Sequence, residues 1–248
     1  MLRFGQAAFA LFCAACSVDN RTLLGSATSG DFNADGGMSL VNDPGHGSDA
    51  ASGGEGGEVV LPRCRYSGAV EAGCDTLVDN PGFAMNVADW TAEPVGMLEA
   101  WASDDANGDK ASGSLLVTNF NYSDEASAKD GTAGGGARQC LAVTGGRRYD
   151  LTADIFVPKG QGDGLDGGTF SSVATLSVFF YQAADCQGPT HGNFTSAPVD
   201  TTNEWVHVEG SAQAPKDGKS MAVRLATLKP FPQYKFQAEF DNVFVRQR

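Results

Sequence analysis

Apolar and polar positions alternate most clearly over Tyr149–Val157. Tyr149, Leu151, Ala153, Ile155 and Val157 share one face, and Asp150, Thr152 and Asp154 share the other. Phe156 alone breaks the polar series. Period two over this length predicts a half-buried strand. Leu176, Val178 and Phe180 repeat the pattern within Val173–Tyr181, as do Met221, Val223 and Leu225 within Ser220–Leu228. Gly113–Thr118, Ala137–Val143, Glu204–Glu209 and Phe236–Val245 are further runs rich in strand-forming residues. Turn-forming clusters separate them at Ser103–Asp109, Asp130–Gly136, Gly160–Gly168 and Pro215–Gly218.

No segment sustains a 3.6-residue apolar stripe, so helices are not expected to build the core. Many short strands joined by glycine-rich connections predict an all-β protein, an antiparallel β-sandwich or jelly roll. The strand pattern occupies residues 61–248, which are expected to form one domain.

The segment before it differs in composition. Residues 17–60 hold ten glycines, one aromatic residue and seven acidic side chains against a single Arg. Low hydrophobicity with one-sided charge predicts a disordered acidic tether. Asp31–Gly36 resembles the start of a calcium loop, but Asn42 stands at the twelfth position and no helical pattern flanks it. Asp105-Ala-Asn107-Gly-Asp109 is a second partial match, read as a loop.

Residues 1–16 read as an export signal. Arg3 precedes the apolar run Phe4–Phe12, and Ala14 and Ala15 lead to Cys16. The Ala14-Ala15-Cys16 ending resembles a bacterial lipobox, although Cys13 stands where Leu is usual. Lipidation at Cys16 would anchor the chain to the cell envelope or surface, and ordinary cleavage would release it. Four other cysteines then suit disulfides in an exported chain. Three pairings are open; Cys64–Cys74 and Cys140–Cys186 are favoured, the first closing a short loop at the start of the domain. A four-cysteine zinc site is disfavoured because none of these four forms a Cys-x-x-Cys pair.

Charge narrows the partners. The chain has 17 basic and 30 acidic side chains, a net charge of -13. That balance argues against nucleic acid and against polybasic membrane binding. Membrane contact is expected only through the lipid anchor, and a monomer is expected.

Asn80-Pro81-Gly82-Phe83, Trp90 and Ser112-Gly113-Ser114-Leu115 occur in that order, followed by Gln139-Cys140, Gly145 to Tyr149, Cys186-Gln187-Gly188, Trp205 and Phe240-Asp241-Asn242-Val243. This series resembles the galactose-binding-like jelly rolls of carbohydrate-binding modules, which include several cellulose- and xylan-binding families. The resemblance spans about Thr76 to Val245. It implies two antiparallel sheets and carbohydrate binding without catalysis. Many members hold a structural calcium near the first and last strands. Carried onto this chain, its ligands would be Asp241 with Asp79 or the carbonyl of Asn80. Ala84 replaces a Glu that often follows the Gly-Phe pair, so one carboxylate is missing. The alternative for Asp241 is a strand-end carboxylate bonded to backbone. No cofactor is required. Trp90 and Trp205 are core residues by their place in the resemblance.

No nucleophile elbow, zinc-binding His motif or phosphate loop is present. Sugars present apolar C–H faces to aromatic rings and hydroxyls to polar side chains. The candidate stacking residues are Trp101, Tyr122, Phe179, Tyr181, Phe231 and Tyr234, with Tyr181 and Trp101 foremost; the alternative for each is core packing. Two functions are therefore carried forward: an exported carbohydrate-binding module, or a structural or adhesive envelope lipoprotein that binds protein or no small ligand. A glycan-active enzyme is the least favoured.

Overall fold

A computed structural model describes Arg65 and residues 74–122, 131–161 and 171–248. The signal-like segment, Cys16, the acidic tether and Cys64 lie outside the described residues. The described chain forms ten strands: β1 (Thr91–Glu93), β2 (Met97–Ala102), β3 (Ser114–Asn119), β4 (Thr132–Ala142), β5 (Arg148–Phe156), β6 (Val173–Tyr181), β7 (Thr190–Thr195), β8 (Trp205–Gln213), β9 (Ser220–Pro230) and β10 (Phe236–Gln247). They make two five-stranded antiparallel sheets, in the orders β1-β4-β9-β6-β7 and β2-β3-β10-β5-β8. The fold is the expected all-β sandwich.

Period-two burial drives the packing. The five alternating residues of β5 and its continuation, Tyr149 to Val157, are all 0% exposed. They meet Leu176, Val178 and Phe180 of β6 and Met221, Val223 and Leu225 of β9 in one core. Tyr149 and Phe180 bring their rings to 6.3 Å across the two sheets. Trp90 joins this core as expected, with its ring 5.8 Å from that of Phe83.

Strand β4 corrects the turn expected at Asp130–Gly136, because it begins at Thr132 and runs through the glycines. The reason is close backbone approach: a Cβ on Gly136 would lie 1.9 Å from the Leu225 carbonyl oxygen. The short strands β1, β2 and β7 are not marked by clean alternation and were not expected.

Strand β10 carries an irregularity against β5. Asp241 pairs with Asp154 but Phe244 pairs with Thr152, so β10 holds one extra residue there. Asn242 takes a φ of 48°, and both Phe240 and Val243 turn inward. The chain before β1 is tied along this strand: Leu77 N donates to Val245 O at 2.8 Å, and Val243 N to Pro81 O at 2.8 Å.

Cys140 and Cys186 form a disulfide with a Cα–Cα distance of 5.9 Å. It joins β4 to the β6–β7 connection. Cys74 is also disulfide-bonded. A structural disulfide indicates an oxidising, extracytoplasmic setting. The Cys140–Cys186 bond spans 46 residues. Replacing both cysteines with Ala is expected to cost about 4 kcal/mol in the chain-entropy picture. Chemical denaturation of the double variant under oxidising conditions measures this, and an unchanged midpoint would contradict it.

Candidate functional site

The outer face of the second sheet carries the site. Register aligns Ala100 of β2, Leu116 of β3, Glu239 of β10, Phe156 of β5 and Trp205 of β8 in one row across it. Phe156 is the residue that interrupts the polar series of β5. Its ring lies 5.3 Å from that of Trp205, tilted by 37°. Both are only partly buried.

The β2–β3 connection folds over this face and makes a rim. Asp105 Oδ1 accepts hydrogen bonds from Asn107 N at 2.8 Å and Asp109 N at 2.9 Å, which curls the connection on itself. Gly108 completes the curl with a φ of +73°. Ala106 N donates to Asp241 Oδ2 at 3.0 Å, and Ser112 Oγ to Gly82 O at 3.0 Å. Between rim and sheet lies a cleft of about 330 Å³, lined by Ser103, Asp104, Asp105, Gly108, Asp109, Lys110, Phe156 and Trp205.

Buried carboxyls underlie the rim. Asp241 is 1% exposed and Glu239 6%. Burial pushes Asp241 up to about 8; the Ala106 and Asn242 amides oppose this, and the Asp105 and Asp154 charges add to it. Burial also raises Glu239, against the Ser114 hydroxyl hydrogen bond and with the help of Asp104. Asp154 accepts from Asn242 Nδ2 at 2.8 Å and pairs with His207 Nδ1 at 2.8 Å.

The residues expected to stack on sugars fall in three other places. Tyr122 and Tyr234 come together, with ring centroids 6.0 Å apart, and Phe120 lies 6.2 Å from Tyr234. They are 48% and 68% exposed. Phe231 is partly buried beside them in sequence, its N–H donating to Gly131 O at 3.0 Å. Trp101 stands apart, its indole N–H donating to Phe83 O at 2.7 Å and its ring lying over Gly113. Phe179 and Tyr181 do share the outer face of the first sheet, but neither offers an open ring. Phe179 lies under the Arg224 guanidinium, 5.1 Å from its carbon. Tyr181 is 7% exposed, packed with Cys186 and Ala222, so it is corrected from stacking residue to packing residue. The disulfide draws the β6–β7 connection over it.

Trp205 is the opposite correction. It is no core residue: it pairs with Phe156 on the outer face and lines the cleft, whereas Val208 and Ala212 of β8 point into the core. The signal that could have found the site was Phe156, an aromatic residue on an otherwise polar strand face.

The first sheet's outer face holds a second depression of about 430 Å³ beside Glu93, Arg138 and Gln187. Arg138 Nη1 donates to Glu93 Oε2 at 2.6 Å, and Arg224 Nη2 lies 3.6 Å from the same oxygen. No aromatic side chain lines that depression.

The residues expected to share calcium make the following hydrogen bonds. Asp79 N donates to Gln139 Oε1 at 2.8 Å, and Asp79 O accepts from Gln139 Nε2 at 3.0 Å. Asn80 Nδ2 donates to the carbonyls of Asn86 at 2.9 Å and Ala88 at 3.2 Å. Asp241 accepts the backbone N–H groups of Ala106 and Asn242. Among the described residues, no group of three or more His, Cys, Asp or Glu is placed to hold a metal ion.

Asp241 makes stability depend on pH. Its folded value, about 8, lies above the ordinary 3.8. Its contribution is therefore full below the unfolded value and is lost as pH rises through the folded one. Glu239 acts in the same direction. The melting temperature is expected to fall by several degrees between about pH 5 and about pH 8, and Asp241→Asn to flatten that slope. A thermal melt series on both proteins checks it; equal slopes would contradict the assignment.

No family model and no curated protein sequence matches the chain. Solved structures share the sandwich. The enzymatically active domain of bacteriophage CBA120 tailspike protein 4 is similar at a TM-score of 0.50 and 13% identity, over 70% of this chain and 21% of that one. The CBM22-1 and GH10 modules of Clostridium thermocellum Xyn10B, complexed with xylohexaose, give 0.48 and 16%, over 70% and 29%. The CBM22-1 xylan-binding domain of Paenibacillus barcinonensis Xyn10C gives 0.46 and 17%, over 70% and 94%. The chain thus spans less than a third of the first two proteins and nearly all of the third. At these identities the likeness is one of fold.

Proposed function

We propose that residues 61–248 form a non-catalytic carbohydrate-binding module displayed outside the cytoplasm, held on the acidic tether and anchored through Cys16. The observation that carries this reading is the Phe156–Trp205 pair in its cleft. A sugar ring needs an apolar face to stack on and polar groups at its edge, and the cleft offers both within about 330 Å³. Ser103, Asp104, Asp109 and Lys110 supply hydroxyl, carboxylate and ammonium groups around two aromatic rings. The pair belongs to adjacent antiparallel strands, so its geometry is set by the sheet.

Recognition without reaction fits the side chains present. His207 is held by Asp154, and His191 lies 3.4 Å from the Gln182 amide. Neither histidine lines the aromatic cleft.

Binding to a panel of soluble and insoluble polysaccharides tests the reading. Trp205→Ala is expected to weaken binding to any retained glycan by about 2 kcal/mol, close to thirty-fold, with the melting temperature held. Retention of no glycan, or a Trp205→Ala variant that binds normally, would transfer the assignment to the structural or adhesive envelope lipoprotein.

A further inference from the structure

The charge of the cleft narrows its ligand, on the reading that it binds a glycan. Asp104, Asp105 and Asp109 stand on the rim against one cation, Lys110. Asp105 Oδ1 accepts two backbone N–H groups, but Asp105 Oδ2 is buried and meets no donor. Glu239, the register partner of Phe156, is 6% exposed. Its Oε2 accepts from Ser114 Oγ at 2.8 Å. Buried acceptors are nearly always paired, so Asp105 Oδ2 is an exception. Three aspartates against one lysine thus rim an aromatic pair, above the buried Glu239 carboxyl.

Ring faces are themselves the negative side of an aromatic quadrupole, so the cleft wall and its rim carry the same sign. A neutral sugar supplies hydroxyl donors but leaves that charge uncompensated. An acetylated amino sugar does the same, and its amide presents a carbonyl acceptor to a region already rich in acceptors. A sugar carrying a protonated amine matches every feature at once. Its C–H face stacks on Trp205, its N–H donors reach carboxylate oxygens, and its charge lies near the ring faces. We propose that the cleft formed by Phe156, Trp205 and the Asp104–Asp109 rim selects sugar units bearing a free, protonated amine, as in a deacetylated amino-sugar polysaccharide.

Calorimetric titration of the full chain with short glucosamine oligomers, their fully N-acetylated counterparts and neutral xylo-oligosaccharides tests this. At about pH 6, where the sugar amine is charged, the glucosamine form is expected to bind at least about tenfold more tightly than either other, and raised salt to erode the difference. Asp105→Asn keeps the oxygen that closes the rim's turn but removes the charge. It is expected to lower glucosamine affinity about tenfold while leaving the melting temperature unchanged. Trp205→Ala is expected to weaken all binding. Equal or tighter binding of the acetylated or neutral oligomers, lost in Trp205→Ala, would overturn the amine assignment and keep the glycan site. Glucosamine binding untouched by both substitutions would reduce the effect to general attraction to an acidic protein and overturn the assignment. Stabilisation by calcium alone, with loss of oligomer binding, would give the carboxylates to a metal ion and overturn it too. If no oligomer binds, the inference and the glycan reading fall together.

Discussion

Between Asp241 and Phe244, strand β10 carries one residue more than β5 can match, and the cleft depends on the groups freed there. The Asp241 carboxylate leaves the ladder to hold the rim at Ala106. Asn242, in a left-handed conformation, reaches Asp154 on β5 and Asn107 on the rim. Val243 turns into the core while its N–H holds Pro81. A regular strand would pair the backbone fully and offer none of these contacts. The extra residue thus fixes the rim to the sheet at the strand that the whole second sheet shares.

The same arrangement has an electrostatic cost. Asp154, Glu239 and Asp241 are all nearly out of water on one outer sheet face. Donors meet them unevenly: Asp241 has two backbone amides, Asp154 has Asn242 and His207 among its partners, and Glu239 has the Ser114 hydroxyl. Buried carboxylates of this density persist where hydrogen bonds and local geometry over-determine them. Their place under the aromatic cleft accords with the tendency of perturbed groups to collect at functional sites.

Much of the fold was legible because burial on one face imposes period two. Tyr149–Val157, Val173–Tyr181 and Ser220–Leu228 each lie within or along a strand of the sandwich. What escaped was decided by neighbours rather than by pattern. The glycines of β4 read as a turn until a facing backbone shows why no side chain fits. Tyr181 has the parity of a surface residue, and only the loop held by Cys186 removes it from solvent. Trp205 read as core from its place in the resemblance, whereas strand parity sets it beside Phe156 on the outer face. The site itself was half visible: Phe156 was an exception in β5, but its meaning needed the register that sets Trp205 beside it.

The cleft divides its labour between two kinds of chain. Phe156 and Trp205 belong to the framework, and altering their backbone would disturb pairing across β5 and β8. Asp104, Asp105, Asp109 and Lys110 belong to a single connection whose attachment runs through backbone groups and Asp241, not through their own charges alone. Substitution along that connection can therefore redraw the charge of the opening while the aromatic platform stays in place. On the proposed reading, rewriting one loop would change which glycan the cleft accepts while the sandwich stays intact.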